Sequence, residues 1–112
     1  MPAIFPLDIY RGDTQRWRFT LWDDTAKEKP SNLAGVVPRA MIRDRPGSIS
    51  ITELECSVTL PNLIDMVLTA AASRALPESG QWDLELTYPS GDVQTMLAGP
   101  VSVTPDITSP LP

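Results

Sequence analysis

Trp82-Asp83-Leu84-Glu85-Leu86-Thr87-Tyr88, followed at once by Pro89-Ser90-Gly91-Asp92, decides the fold. Apolar and polar side chains alternate without interruption, which puts Trp82, Leu84, Leu86 and Tyr88 on one face and Asp83, Glu85 and Thr87 on the other. A strand with one dry and one wet face belongs to a sheet that covers a core on one side only. The tetrad after it holds the residues of a tight turn and predicts a hairpin into residues 93–103.

The same period of two recurs along the chain. Trp17, Phe19 and Leu21 alternate with Arg16, Arg18 and Thr20. Val36, Ala40 and Ile42 share a face opposed to Arg39 and Arg43, and Pro38 marks an edge or bulge there because it cannot donate to a ladder. Leu54, Cys56, Val58 and Leu60 alternate with Glu55, Ser57 and Thr59. Pro61-Asn62 then turns the chain into Ile64, Met66 and Leu68. One segment departs from the pattern: the alanine-rich run 69–76, opened by Thr69 as a helix cap and closed before Pro77, predicts a short helical crossover. These signals predict an all-β domain over residues 1–104. Its expected form is a small antiparallel β-sandwich of about seven strands, immunoglobulin-like. The opening residues 1–6 and the proline-spaced tail 105–112 are expected to be extended.

Composition narrows the chemistry. The 112 residues include no histidine and one cysteine, Cys56. Histidine-based acid–base catalysis, an internal disulfide and Cys/His zinc sites are therefore excluded, and no cofactor or metal is implied. No apolar run reaches the length of a membrane helix, and no signal peptide is visible, so the expected partners include no membrane. The formal charge of −5 makes nucleic acid a poor partner. That charge is unevenly spread: residues 1–45 carry eight basic and six acidic side chains, residues 46–112 only Arg74 against eight acids. Pairing of the two halves within the sheet is the favoured reading, head-to-tail contact between copies the other.

Most chemistry-bearing motifs reduce to structure. Arg11-Gly12-Asp13 reads as a turn between strands, Asp23-Asp24 as the start of a loop, and Asp83 with Glu85 as a solvated or arginine-paired face. Cys56 reads as a buried structural thiol. Trp22 stands apart, because it falls on the arginine face of its strand. Tryptophan and arginine are enriched at protein-interface hot spots, and proline-rich arms order on a neighbour. The candidate contact residues are accordingly Trp22, Arg16, Arg18, Arg39 and Arg43, with Pro105, Pro110 and Leu111 of the tail. A carbohydrate-binding, adhesin-like module stacking sugars on Trp22 and Tyr10 is the alternative. An enzyme is not expected, since no nucleophile–base pair converges.

The order of short motifs resembles a known family. Arg11-Gly12-Asp13-Thr14, Phe19-Thr20-Leu21-Trp22-Asp23-Asp24, Asn32-Leu33-Ala34-Gly35 and Met41-Ile42-Arg43 occur in sequence. They are followed by Gly80-Gln81-Trp82-Asp83-Leu84-Glu85-Leu86, Pro89-Ser90-Gly91 and Leu97-Ala98-Gly99, with Val101-Ser102-Val103-Thr104-Pro105 last. Together they are similar to the N-terminal β-sandwich of tailed-bacteriophage upper-baseplate proteins. Asn32 and Ala34 stand where that family has Asp and Thr, and Trp82 where it has Tyr. The resemblance implies a virion structural protein, synthesised in the host cytoplasm. It would be a tail, baseplate or fibre-attachment component that contacts other virion proteins and copies of itself. Capsid decoration is the alternative within the class.

Overall fold

The computed structural model describes residues 3–23, 26–44 and 51–105, with the side chain of Ile51 outside that set. Eight strands and one helix follow in chain order: β1 (Ala3–Ile4), β2 (Leu7–Tyr10), β3 (Gln15–Thr20), β4 (Val37–Arg43), β5 (Ile51–Thr59), β6 (Leu63–Leu68), α1 (Ala70–Arg74), β7 (Ser79–Thr87) and β8 (Val93–Thr104). Each alternating stretch becomes a strand, and most of its apolar positions turn inward; Leu60, expected on the face of Leu54, Cys56 and Val58, instead lies beyond β5 and is exposed. Trp82, Leu84 and Leu86 of β7 are buried, as are Ala40 and Ile42 of β4 and Ile64, Met66 and Leu68 of β6. Burying such side chains is worth about 1.5–3 kcal/mol each, which is what fixes the register against a one-residue slip.

The strands form one continuous path, β1-β8-β7-β4-β5-β6-β3, with β2 also on β8. β5 carries that path around a corner. Its first residues pair with β4, from Leu54 opposite Ala40 to Ile51 opposite Arg43. Its last residues pair with β6, from Glu55 opposite Val67 to Thr59 opposite Leu63. The sheet therefore curls into a half-barrel around the core. Among the described residues Pro38 is paired on β7 alone, because β5 pairs no further than Ala40. A residue without an N–H is tolerated at such a singly paired position.

Two expectations need correction. The sheet is mixed: β1 and β2 both run parallel to β8, with Leu7 opposite Val101 and Ile9 opposite Val103. The opening residues are thus not a free extended arm from Ala3 onward. Leu7 and Ile9 are 0% and 1% exposed, so β2 supplies core, and Pro6 merely interrupts its pairing. The short helix is where the alanine run predicts it and joins β6 to β7. Thr69 caps it, its hydroxyl accepting from the Ala72 N–H at 3.2 Å.

Candidate interaction surface

The predicted contact arginines lie on the outward faces of two different parts of the sheet. Arg16 and Arg18 sit on β3 opposite Val67 and Asp65 of β6. Arg39 and Arg43 sit on β4 opposite Glu85 and Gln81 of β7. Arg18 and Arg39 are each held by an acid from the second half of the chain. Arg18 clasps Asp65 with both ends of its fork, Nε to Oδ1 at 2.7 Å and Nη2 to Oδ2 at 3.3 Å. The guanidinium's hydrogen bond holds the Asp65 carboxyl below its usual range. Arg39 Nε donates to Glu53 at 3.0 Å. The uneven charge of the sequence is thus offset across neighbouring strands at these positions. Asp83, half-buried beside Glu85, shifts the other way: desolvation, and then Glu85, raise its carboxyl above the usual range, against the pull of Arg43. Cys56 is half-buried, not fully enclosed, and desolvation pushes its thiol up to about 11.

The Arg11-Gly12-Asp13 stretch is a turn, and its arginine is committed inward. Gly12 takes a φ of +94°, which favours glycine, and its N–H donates to Ser73 Oγ of α1 at 2.7 Å. Arg11 Nη2 donates to the Leu76 carbonyl at 3.1 Å. The turn is stitched to the helix and offers no arginine–aspartate pair to a ligand.

Trp22 stands on a loop beyond the end of β3. It bridges to Pro30 and remains 36% exposed. The loop that presents it is tied down at both ends. The Leu21 N–H donates to the Asn62 carbonyl and Asn62 Nδ2 returns a bond to the Leu21 carbonyl, both at 2.9 Å. The Asp23 N–H donates to the Lys29 carbonyl at 2.8 Å, and Ser31 Oγ donates to Asp23 Oδ1 at 2.9 Å. Asn62 is buried, and its pinning role was hidden in the sequence behind an ordinary Pro-Asn turn.

Across from this loop stands the β7–β8 hairpin. Its turn closes as the sequence predicts, with the Gly91 N–H donating to the Tyr88 carbonyl at 2.8 Å and the Tyr88 N–H to the Asp92 carbonyl at 2.9 Å. Loop and hairpin together border a concavity of about 350 Å³, lined by Leu21, Trp22, Ser31, Asn32, Tyr88, Gln94 and Met96 among others. Tyr88 and Gln94 also border a shallower hollow of about 560 Å³ with Ser90, Asp92 and Val93. The Tyr88 hydroxyl reaches Gln94 Oε1 at 3.3 Å. Among the described residues nothing pairs with β8 on this side before Leu97, where β1 begins. Sequence reading singled out Trp22 but missed Tyr88, Gln94 and Met96. Tyr88 reads there as the last core position of its strand, and a bulge between Leu84 and Glu85 alters the register of β8.

The remaining candidates lie elsewhere. Tyr10, 52% exposed, is at the far end of β8, opposite Thr104, so it forms no common platform with Trp22. Pro105 follows β8 and is exposed, while Pro110 and Leu111 fall outside the described residues. Among the described residues no three His, Cys, Asp or Glu side chains gather to hold a metal, and no helix is long and apolar enough to cross a membrane.

No protein-family model and no curated protein matches the chain. Its fold is similar to that in a crystal structure of an SrpA adhesin variant from Streptococcus sanguinis. The TM-score is 0.52 at 15% identity, covering 90% of this chain and 55% of that one. At that identity the likeness is one of fold alone.

Proposed function

We propose that this chain is a structural protein of a tailed-bacteriophage virion, a tail, baseplate or fibre-attachment component that assembles in several copies through protein–protein contacts. The sequence resemblance to the upper-baseplate domain supports that class. The observation that carries the contact role is the exposure of Trp22 on a tied-down loop. A large aromatic fixed at the rim of a concavity is the kind of anchor on which protein interfaces spend most of their binding energy. The exposed Val37, Leu60 and Val93 add apolar area suited to packing against neighbours. In architecture we take the curled sheet to be an immunoglobulin-like sandwich opened along one side. β5 would be the strand shared by both layers.

The test is location. Quantitative mass spectrometry of purified particles, with labelled antibody for imaging, should place a few copies at the tail vertex. Hundreds of copies over the shell would instead make the chain a capsid decoration protein. Absence from intact virions overturns the class.

A second reading has one observation in its favour: Trp22 and Tyr88 border a hollow that also holds Ser31, Asn32 and Gln94, a combination suited to stacking and hydrogen bonding a sugar. Glycan-array binding abolished by Trp22→Ala would establish that reading, and silence on the array would remove it.

A further inference from the structure

We infer that the concavity between Trp22 and Tyr88 receives the proline-spaced C-terminal arm, residues 105–112, of a second copy of this chain, so that copies join head to tail. The inference rests on the assembly reading above and names the partner and the surface.

The chemistry of the hollow fits such an arm. Proline-rich segments favour the polyproline II conformation, whose carbonyls are all unpaired, and they are recognised by aromatic walls with hydrogen-bond donors between them. Here the walls are Trp22 and Tyr88. The donors are the Trp22 indole N–H and the Gln94 amide, whose Oε1 is the atom engaged by Tyr88. Neither donor has a partner among the described residues. The arm reads Pro105-Asp106-Ile107-Thr108-Ser109-Pro110-Leu111-Pro112. Bound as polyproline II, with three residues per turn, Ile107 and Pro110 would share one edge about 9 Å apart and offer two apolar anchors to one groove.

Geometry excludes the chain's own hollow. β8 runs away from the concavity, from Gln94 at its rim to Thr104 at the opposite end, ten residues on and about 33 Å away at strand rise. The seven residues from Thr104 to Leu111 could span at most about 25 Å even if fully extended. The arm leaves each copy at the end opposite its hollow, which is the arrangement of a heterologous, repeating contact. The site is also continuous with pairing already present. The β8 edge left open at Val93–Met96 is the same edge that β1 occupies from Leu97 onward.

The experiment is sedimentation velocity on the full chain over a wide concentration range, with two variants. Trp22→Ala removes a wall of the hollow. Pro110→Ala with Leu111→Asp alters the arm, touches no contact of the described sheet and therefore guards against a folding artefact. Wild type should gain mass with concentration, and each variant should associate at least about tenfold more weakly, the loss expected of an anchor residue. Mixed in equal amounts, the variants should form one-to-one dimers and stop there, because only one competent hollow meets one competent arm. A wild-type chain that stays monomeric up to ~1 mM overturns the inference, as does unimpaired association of either variant. Monomeric protein that is nevertheless found in virions refutes arm docking alone. Self-association of a protein absent from virions refutes the virion reading alone.

Discussion

The Trp82 indole N–H donates to the carbonyl oxygen of Phe5 at 2.7 Å, although the two residues stand 77 apart in the chain. The Phe5 N–H in turn donates to the Ala98 carbonyl at 2.9 Å, and the Phe5 ring meets Phe19 edge-on with centroids 5.2 Å apart. Phe5 thus ties the parallel N-terminal segment on β8 to β3 at the other end of the sheet path. Gly99 makes the approach possible, since a Cβ there would stand 2.6 Å from the Phe5 oxygen.

Trp82→Phe should therefore destabilise the domain by about 1–3 kcal/mol, through the lost hydrogen bond and the smaller ring. Urea unfolding would measure this. Amide exchange at Phe5 should accelerate more than exchange in β6. Equal acceleration throughout would mean that the bond does not govern the N-terminal strand in particular.

The strands, their inward faces and the β7–β8 turn were legible because alternation and turn chemistry are local signals. The parallel pairing of β1 and β2 was not. β1 is two exposed residues and β2 four, too short for a period to declare itself, and a parallel partner about ninety residues away leaves no trace in neighbouring sequence. The hollow was legible only through Trp22. Tyr88 and Gln94 join it through the sheet's curl and the bulge in β8, neither of which follows from the identity of those residues.

Two carboxylates should push acid stability in opposite directions. Asp65 is held low by Arg18, so its contribution is present above its unfolded pKa of about 3.9 and is lost as pH falls through the lower folded value. Asp83 is raised by desolvation, so stability is recovered as pH falls through its folded value. Asp65→Asn should flatten the acid limb of a stability–pH curve. Asp83→Asn should raise stability at neutral pH and leave that limb steeper. Carboxyl chemical shifts followed by NMR would check both assignments.

Cys56 should resist alkylation. With its thiol pushed up to about 11, the thiolate is scarce at pH 8, and the side chain is only half exposed to reagent. Iodoacetamide should label native protein far more slowly than urea-unfolded protein at that pH. Comparable rates would show the thiol to be open and unperturbed.

Asn62→Ala should cost about 0.5–1.5 kcal/mol, the net worth of one hydrogen bond, because the Leu21 carbonyl loses its side-chain donor but keeps the Ser31 N–H at 3.1 Å. It should also loosen Trp22. Red-shifted, more readily quenched tryptophan fluorescence at a denaturant concentration where the variant is still folded would demonstrate this. The difference must vanish in a Trp22→Phe background, where the reporting ring is gone.

The C-terminal arm should be separable from folding, and the place of the cut matters. Thr104 pairs with Tyr10 and its carbonyl accepts the Arg11 N–H at 2.9 Å, so a deletion that takes Thr104 also removes part of the β2–β8 ladder. Val103 just before it is core, whereas Pro105 is exposed and adds nothing to the sheet. A chain ending at Pro105 should then unfold within about 0.5 kcal/mol of the full chain, as changes away from core and ladder generally do. Incorporation into particles during infection, measured by complementation, should fall sharply for the same chain. A truncated protein that fails to fold would place the last residues in the sheet, and one that folds and still incorporates normally would remove the arm from assembly.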